Sequence, residues 1–161
     1  MTEKLYYENS YLFEFSAKVL SCRRLQKKFE VILDKTAFFP EGGGQPSDIG
    51  ALNDAAVLDV QIVNGDIVHY TDSALEEGSI VTGVLDSERR LDFMRQHSGE
   101  HIVCGIAHKL YGCENVGFHL SEETVTLDLD KYLSKEEIDI IEKAANEAVL
   151  KNLRFKAFFP K

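Results

Sequence analysis

The sequence predicts an α+β chain in two parts: a small β-barrel-like domain over residues 1–86, then an α+β segment over 87–161. Three observations lead there. Short apolar or alternating runs separated by turn residues fill the first part. An uninterrupted stretch with apolar residues at helical spacing follows Asp86. A second helix opens at Ser134 with Glu137 three residues on, the pattern of a capping box.

The β elements are read from "YLFEFSAKVLSC", "KFEVILD", "AAVLDVQIV", "DIVHYTD" and "SIVTGVLD". Asn64-Gly65 between two of these runs is a two-residue hairpin signal. Several short strands so closely spaced suggest a small barrel or sandwich. "SERRLDFMRQHSGEHIVCGIAHKLYG" reads as a long helix, with Leu91, Met94, Ile102, Ile106 and Leu110 as its apolar set and Gly112 as its stop. "NVGFHLSEETVTLDLD" reads as a hairpin turning at Ser121–Glu123, and "KEEIDIIEKAANEAVLKN" as the last helix. Two helices and one hairpin make a thin core, so the sequence is expected to be a fragment of a longer protein. "AFFP" occurs at Ala37–Pro40 and again at Ala157–Pro160, too short a match to indicate duplication.

Composition excludes several classes. With 161 residues, 44% hydrophobic and 28% charged, the chain is globular and long enough for a core. Three cysteines (Cys22, Cys104, Cys113) make a disulfide framework improbable and a reducing cytoplasm the expected compartment. No apolar run has the length of a membrane span, and no membrane partner is expected. A net charge of −9 argues against non-specific nucleic-acid binding. Basic residues nevertheless cluster at Arg23, Arg24, Lys27 and Lys28, at Arg89, Arg90 and Arg95, and near the C-terminus; each cluster is expected to be solvated surface charge.

Two stretches carry chemistry. "TAFFPEGGGQPSDIG" (Thr36–Gly50) places three consecutive glycines before Gln45. Glycine loses the most backbone freedom on folding, so such a run implies positive φ angles or a close backbone approach to a ligand. Downstream, His97 and His101 stand one helical turn apart, where two imidazoles can reach one ion at about 2.0–2.1 Å. Spacing alone leaves a solvated or core-facing pair open, and the order His97-Ser98-Gly99-Glu100-His101 is not that of a metalloprotease helix. Cys104 and His108 also share a face, but at a rise of about 1.5 Å per residue Cys104 is too far along the axis to share an ion with His97. Cys113 and His119 follow the helix and could fold back. Glu100 could act as a base, although a glutamate on a helix is more often solvated. No Ser-His-Asp arrangement or activated cysteine points to a covalent intermediate.

The pairing of "FFPEGGGQPSDIG" with "RQHSGEHI" resembles the alanyl-tRNA editing proteins, free-standing relatives of the editing domain of alanyl-tRNA synthetase. They have a similar aromatic-Pro-x-Gly-Gly-Gly-Gln loop followed by a His-x-x-x-His helix, and the resemblance covers nearly the whole chain. It implies a β-barrel-like domain followed by the first portion of an α+β editing domain, with no adenylate-forming domain and so no ligase activity. It implies hydrolysis of the ester joining a wrong amino acid, serine above all and glycine second, to the 3′ end of tRNA(Ala). It also implies Zn2+ on His97 and His101, with a later Cys-x-x-x-His pair that has no counterpart here, leaving the metal site incomplete. By the same resemblance Thr36 senses the serine hydroxyl, Gln45 holds the acyl group or orients water, and Gly43 and Gly44 let backbone pass close to the substrate. The alternative is a catalytically incomplete tRNA-binding or structural module of the same descent. Gly43-Gly44-Gln45 also occurs in peptide-chain release factors, which do not need a His-x-x-x-His helix, and no Gly-Lys-Ser/Thr closes the run as in a phosphate-binding loop. No feature of the sequence assigns an oligomeric state.

Overall fold

The structure is a computed structural model that describes residues 2–121 and 123–156. The chain divides into two compact units, Met1–Phe93 and Met94–Lys161. Among the described residues no helix is long and apolar enough to cross a membrane.

In the first unit the strands are β1 (Glu3–Lys4), β2 (Glu14–Arg24), β3 (Phe29–Leu33), β4 (Lys35–Thr36), β5 (Gly50–Leu52), β6 (Ala55–Val63), β7 (Asp66–Thr71) and β8 (Ile80–Leu85). Six of them form a closed barrel in the order β2-β3-β7-β6-β5-β8, because β2 pairs with β3 along one edge and with β8 along the other. All pairings in the ring are antiparallel. The alternation read from the sequence sets which side chains face inward: Phe15, Ala17 and Val19 of β2 and Val81 and Leu85 of β8 are buried, and the residues between them are exposed or small. Asn64 and Gly65 take φ of 52° and 90°, the signature of a type I′ hairpin between β6 and β7. Outside the barrel, β1 pairs in parallel with β4, bringing Lys4 opposite Thr36.

Sequence reading missed β1, β4 and β5. The last of these closes the ring, pairing with β6 and β8. It is three residues long and begins with Gly50, which explains why no alternation revealed it. A Cβ at Gly50 would lie 2.1 Å from the Val84 carbonyl oxygen and 3.1 Å from Cε1 of Phe38. The crossing of β5 and β8 thus requires a residue without a side chain.

Helix α1 spans Ser87–Tyr111, and the division between the units falls within it. Asp86 caps its start: the Asp86 carboxylate accepts from the Arg89 N–H at 3.0 Å, and the Asp86 carbonyl accepts from the Arg90 N–H. Gly112, at φ 64°, ends it as expected. The expected apolar set is only partly buried, and Leu110 is 47% exposed. Its most buried side chains are instead Arg90, Phe93, Glu100 and Ala107.

In the second unit α1 is followed by the hairpin of β9 (Asn115–Leu120) and β10 (Val125–Leu129), then α2 (Lys135–Leu150). Ser121 organises the hairpin turn through its bonds to Thr124; Glu122 of the expected turn lies outside the described residues, as does the second "AFFP" at 157–160. Ser134 and Glu137 form the expected capping box, each side chain accepting from the other's backbone N–H. Ala107, Cys113 and Ile141 form a small buried cluster, supported by Val103, Ile106 and Leu133.

Candidate functional site

In the first unit the glycine-rich loop closes a tight, hydrogen-bonded turn. Gly42 and Gln45 exchange both backbone hydrogen bonds at 3.1 Å, and the two residues between them, Gly43 and Gly44, have φ of 60° and 81°. This is the φ signature of a type I′ turn, in which both central residues need the left-handed region. Added Cβ atoms at Gly42 and Gly43 would meet nothing within 4 Å. The turn therefore needs glycine at position 43 for its φ and not for lack of room. Gln45, at its exit, is 8% exposed.

The residues before the turn are anchored one by one. Phe38 enters the barrel core fully buried, edge-on to Phe15 at 5.8 Å and to the His69 ring at 5.6 Å. Phe39 packs edge-on against Tyr6 at 5.1 Å. Its N–H donates to Asp48 Oδ2, and its carbonyl accepts from the Asp48 N–H. Arg90 locks the arrangement: Nε donates to both Asp48 oxygens at 2.9 and 3.1 Å, Nη1 to the Ser10 carbonyl at 2.9 Å, and Nη2 to the Ala37 carbonyl at 2.7 Å and to Asp48 Oδ2. The expectation that the Arg89–Arg95 cluster is solvated therefore fails for Arg90. Neighbouring Arg89 lies over the Phe93 ring at 4.4 Å.

Thr36 is 0% exposed. Its Oγ1 lies 2.8 Å from Nε2 of His69 and accepts from the Phe38 N–H at 3.1 Å, a local turn closed by a hydroxyl. His69 is equally buried, and its Nδ1 is 3.2 Å from the Val31 carbonyl oxygen. Burial pushes the His69 imidazole down to about 4, against a smaller opposing effect of that carbonyl, so the ring is neutral at pH 7. Arg90, Asp48 and His69 were not singled out from sequence. For His69 strand alternation gave no signal, because Val68 on the opposite parity is buried as well.

In the second unit the His97 and His101 rings stack with centroids 5.0 Å apart and planes inclined by 29°. Phe118 of β9 flanks the His97 ring at 5.2 Å. Among the described residues the group of side chains able to hold a metal ion is His97, Glu100 and His101, whose ligand atoms lie within 4.8 Å of one another. Two ligands on a tetrahedral zinc are about 3.4 Å apart, so a modest side-chain rotation would bring the imidazoles onto one ion. Burial, and to a smaller extent His101, lowers the pKa of His97, which favours the neutral form that ligates metals.

Glu100 is 5% exposed, not solvated as a helix glutamate usually is. Its Oε1 accepts from Nδ2 of Asn115 at 2.7 Å, and its Oε2 faces Nδ1 of His101 at 3.1 Å. A carboxylate on one ring nitrogen of a histidine leaves the other nitrogen for a cation, the usual outer shell of a metal-binding imidazole. The donor set fits a metal half-site with Glu100 behind His101. Cys104 does not join it: burial and a hydrogen bond with Glu100 push its thiol up to about 12, so it stays protonated. Cys113 is buried in the small apolar cluster, and His119 is an exposed residue of β9.

The chain is similar to known proteins over almost its full length. The family model for tRNA synthetases class II (A) matches residues 2–89. Alanine–tRNA ligase of Pyrococcus furiosus is 41% identical over 167 residues, covering 96% of this chain and 18% of that protein. The corresponding ligase of Natronomonas pharaonis is 39% identical over 172 residues, with 99% and 18% covered. Alanyl-tRNA editing protein Aarsd1 of Mus musculus is 35% identical over 155 residues, covering 88% of this chain and 38% of that protein. The chain thus spans well under half the length of these relatives. It belongs to the tRNA synthetases class II (A) family and is a relative of the alanyl-tRNA editing proteins.

Proposed function

We propose that this chain serves alanyl-tRNA editing, the hydrolysis of the ester that joins a wrong amino acid to the 3′ end of tRNA(Ala), with serine as the principal target and glycine as a second one. The observation that carries this reading is the similarity to alanyl-tRNA editing protein Aarsd1, together with a fully buried Thr36 hydroxyl in the strand before the glycine-rich turn. A synthetase pocket for a small apolar side chain rejects an added hydroxyl only weakly, so a second site has to complete the discrimination. That site gains selectivity by hydrogen-bonding the hydroxyl of serine, because alanine leaves the same buried group without a partner. A desolvated threonine oxygen with fixed neighbours suits this role. As placed, Thr36 is closed to solvent, so contact with a substrate requires displacement of the chain that covers it.

In this reading Gln45, with a donor and an acceptor on one amide, holds the acyl group or orients water, and the Gly43-Gly44 turn fixes where Gln45 emerges. His97 and His101 would hold Zn2+, with Glu100 orienting His101. Such an ion would polarise a bound water or orient the aminoacyl-adenosine end.

A second reading, a tRNA-binding module without catalysis, is favoured by one observation: the metal-binding group among the described residues has only two histidines and a carboxylate whose oxygens already have partners. Zinc analysis of the purified chain with deacylation assays on Ser-tRNA(Ala) and Ala-tRNA(Ala) separates the two. Of these two esters, hydrolysis by the 161-residue chain is expected to be weak or absent, with any turnover falling on the seryl one. Equal loss of both esters would remove the proofreading reading, and tRNA binding with neither zinc nor hydrolysis would establish the second.

A further inference from the structure

Editing would require a group that tells serine from alanine, and the environment of Thr36 sets what kind of group it can be. We infer that His69 is a positioning residue that fixes the Thr36 hydroxyl as a hydrogen-bond acceptor toward any ligand, so that the ligand must bring a donor. This rests on the editing reading for its biological meaning, but its geometry stands within the barrel alone.

The protons available in this buried chain fix each donor and acceptor. The Val31 carbonyl oxygen has no proton to give, so its 3.2 Å contact with Nδ1 of His69 is attractive only if Nδ1 carries the hydrogen. The opposite tautomer would set two lone pairs against each other in a fully buried position, where no water relieves them. With the proton on Nδ1 of a neutral ring, Nε2 is an acceptor. The Thr36 hydroxyl, 2.8 Å away, then has to donate its only proton to Nε2. One of its lone pairs accepts from the Phe38 N–H at 3.1 Å. One lone pair remains, and it can only accept.

The chemical consequence is specific. A serine hydroxyl donates to that lone pair, and alanine and glycine offer nothing there. Were Thr36 free to rotate, it could donate as well as accept and would tolerate ligands with either character. The chain of bonds from Val31 through His69 to Thr36 removes that freedom before a ligand arrives. Burial holds His69 at about 4, so the relay persists throughout the neutral range. His69 touches no ligand; it acts through Thr36.

The test has a spectroscopic arm and a binding arm, both on the whole 161-residue chain. Nitrogen NMR of 15N-histidine-labelled protein at pH 7 is expected to show His69 as the neutral Nδ1–H tautomer. In Thr36→Val the Nε2 resonance should shift as its donor disappears. An Nε2–H tautomer, an imidazolium, or an Nε2 signal indifferent to Thr36→Val would each overturn the inference. In the binding arm, non-hydrolysable seryl-amide and alanyl-amide derivatives of adenosine are titrated calorimetrically. His69→Gln can keep an acceptor near the Nε2 position, whereas His69→Asn keeps only the Val31 side of the relay. The expected outcome is an approximately tenfold loss of seryl preference in His69→Asn, the worth of about one hydrogen bond, with recovery in His69→Gln. Unchanged preference in a folded His69→Asn would sink the positioning role. A wild-type chain with the Nδ1–H tautomer but no seryl preference would leave the relay intact and remove the editing reading instead.

Discussion

Arg90 and Asp48 form a buried two-point ion pair, with Arg90 Nε 2.9 Å from Oδ1 and 3.1 Å from Oδ2 and both side chains nearly inaccessible to solvent. The fork has further acceptors, the carbonyls of Ser10 and Ala37, so one guanidinium joins the N-terminal segment, the aromatic stretch and the end of the glycine-rich loop. Asp48 in turn holds the Phe39 N–H. A lysine supplies one point charge where a planar fork is required. Arg90→Lys should therefore destabilise the chain measurably in urea, and Arg90→Met should cost about 3–5 kcal/mol by leaving Asp48 buried and unpaired. A change below about 0.5 kcal/mol in both variants would show that the pair is not what holds the loop.

Two glycines make opposite demands, and their alanine variants should separate them. Gly43→Ala meets open space and suffers only the left-handed φ, about 1–2 kcal/mol. Gly50→Ala drives a methyl group into the Val84 backbone oxygen, which cannot move aside without opening the β5–β8 pairing. It should cost more than about 3 kcal/mol and lower the Tm by several times the Gly43→Ala shift. Equal Tm shifts would contradict the packing at Gly50.

The depressed His69 pKa implies a pH dependence of stability. The unfolded histidine binds a proton near pH 6.5 and the folded one only near 4, so between these values the unfolded state holds more protons. The stabilising contribution is thus complete above about pH 6.5, falls as pH drops through the window, and is gone below about 4, amounting to about 3 kcal/mol. Acid unfolding has other contributions, so the measurement is the difference between wild type and His69→Phe. That difference should shrink on acidification from pH 7 to 4; a constant difference would mean that His69 titrates normally.

For the histidine pair, His97→Ala is expected to lower bound zinc, and unchanged stoichiometry would reject ligation by His97. Glu100→Gln keeps a side-chain oxygen for Asn115 but removes the charge beside His101. Zinc affinity should fall by about 10- to 100-fold, the usual effect of removing an outer-shell partner. Full affinity in Glu100→Gln would leave Glu100 without a part in the site.

Much of the barrel and both helices were legible in the chain because they are local in cause. Period-two alternation marks β2 and β8, Asn64-Gly65 can close only a tight hairpin, and Ser134 with Glu137 caps a helix through contacts three residues apart. His97 and His101 were visible for the same reason, since helical spacing alone brings one ring over the other. The three glycines signalled an unusual backbone, but their sequence left turn and close approach undecided; the paired positive φ values assign Gly43 and Gly44 to a turn.

What only the tertiary structure decided depends on partners far along the chain. Strand β5 exists because β6 and β8 flank it, not because three residues from Gly50 to Leu52 favour extension. Arg90 reads as one of several surface cations until Asp48, 42 residues away, supplies a buried countercharge. Thr36 reads as a strand or turn threonine until the buried ring of His69, 33 residues on, comes within 2.8 Å of its hydroxyl. Periodicity and capping are short-range and leave their mark on neighbouring letters. Burial and hydrogen-bond partnership are set by which distant segments the barrel closure brings together, and they decide which polar side chains leave solvent and become buried and paired.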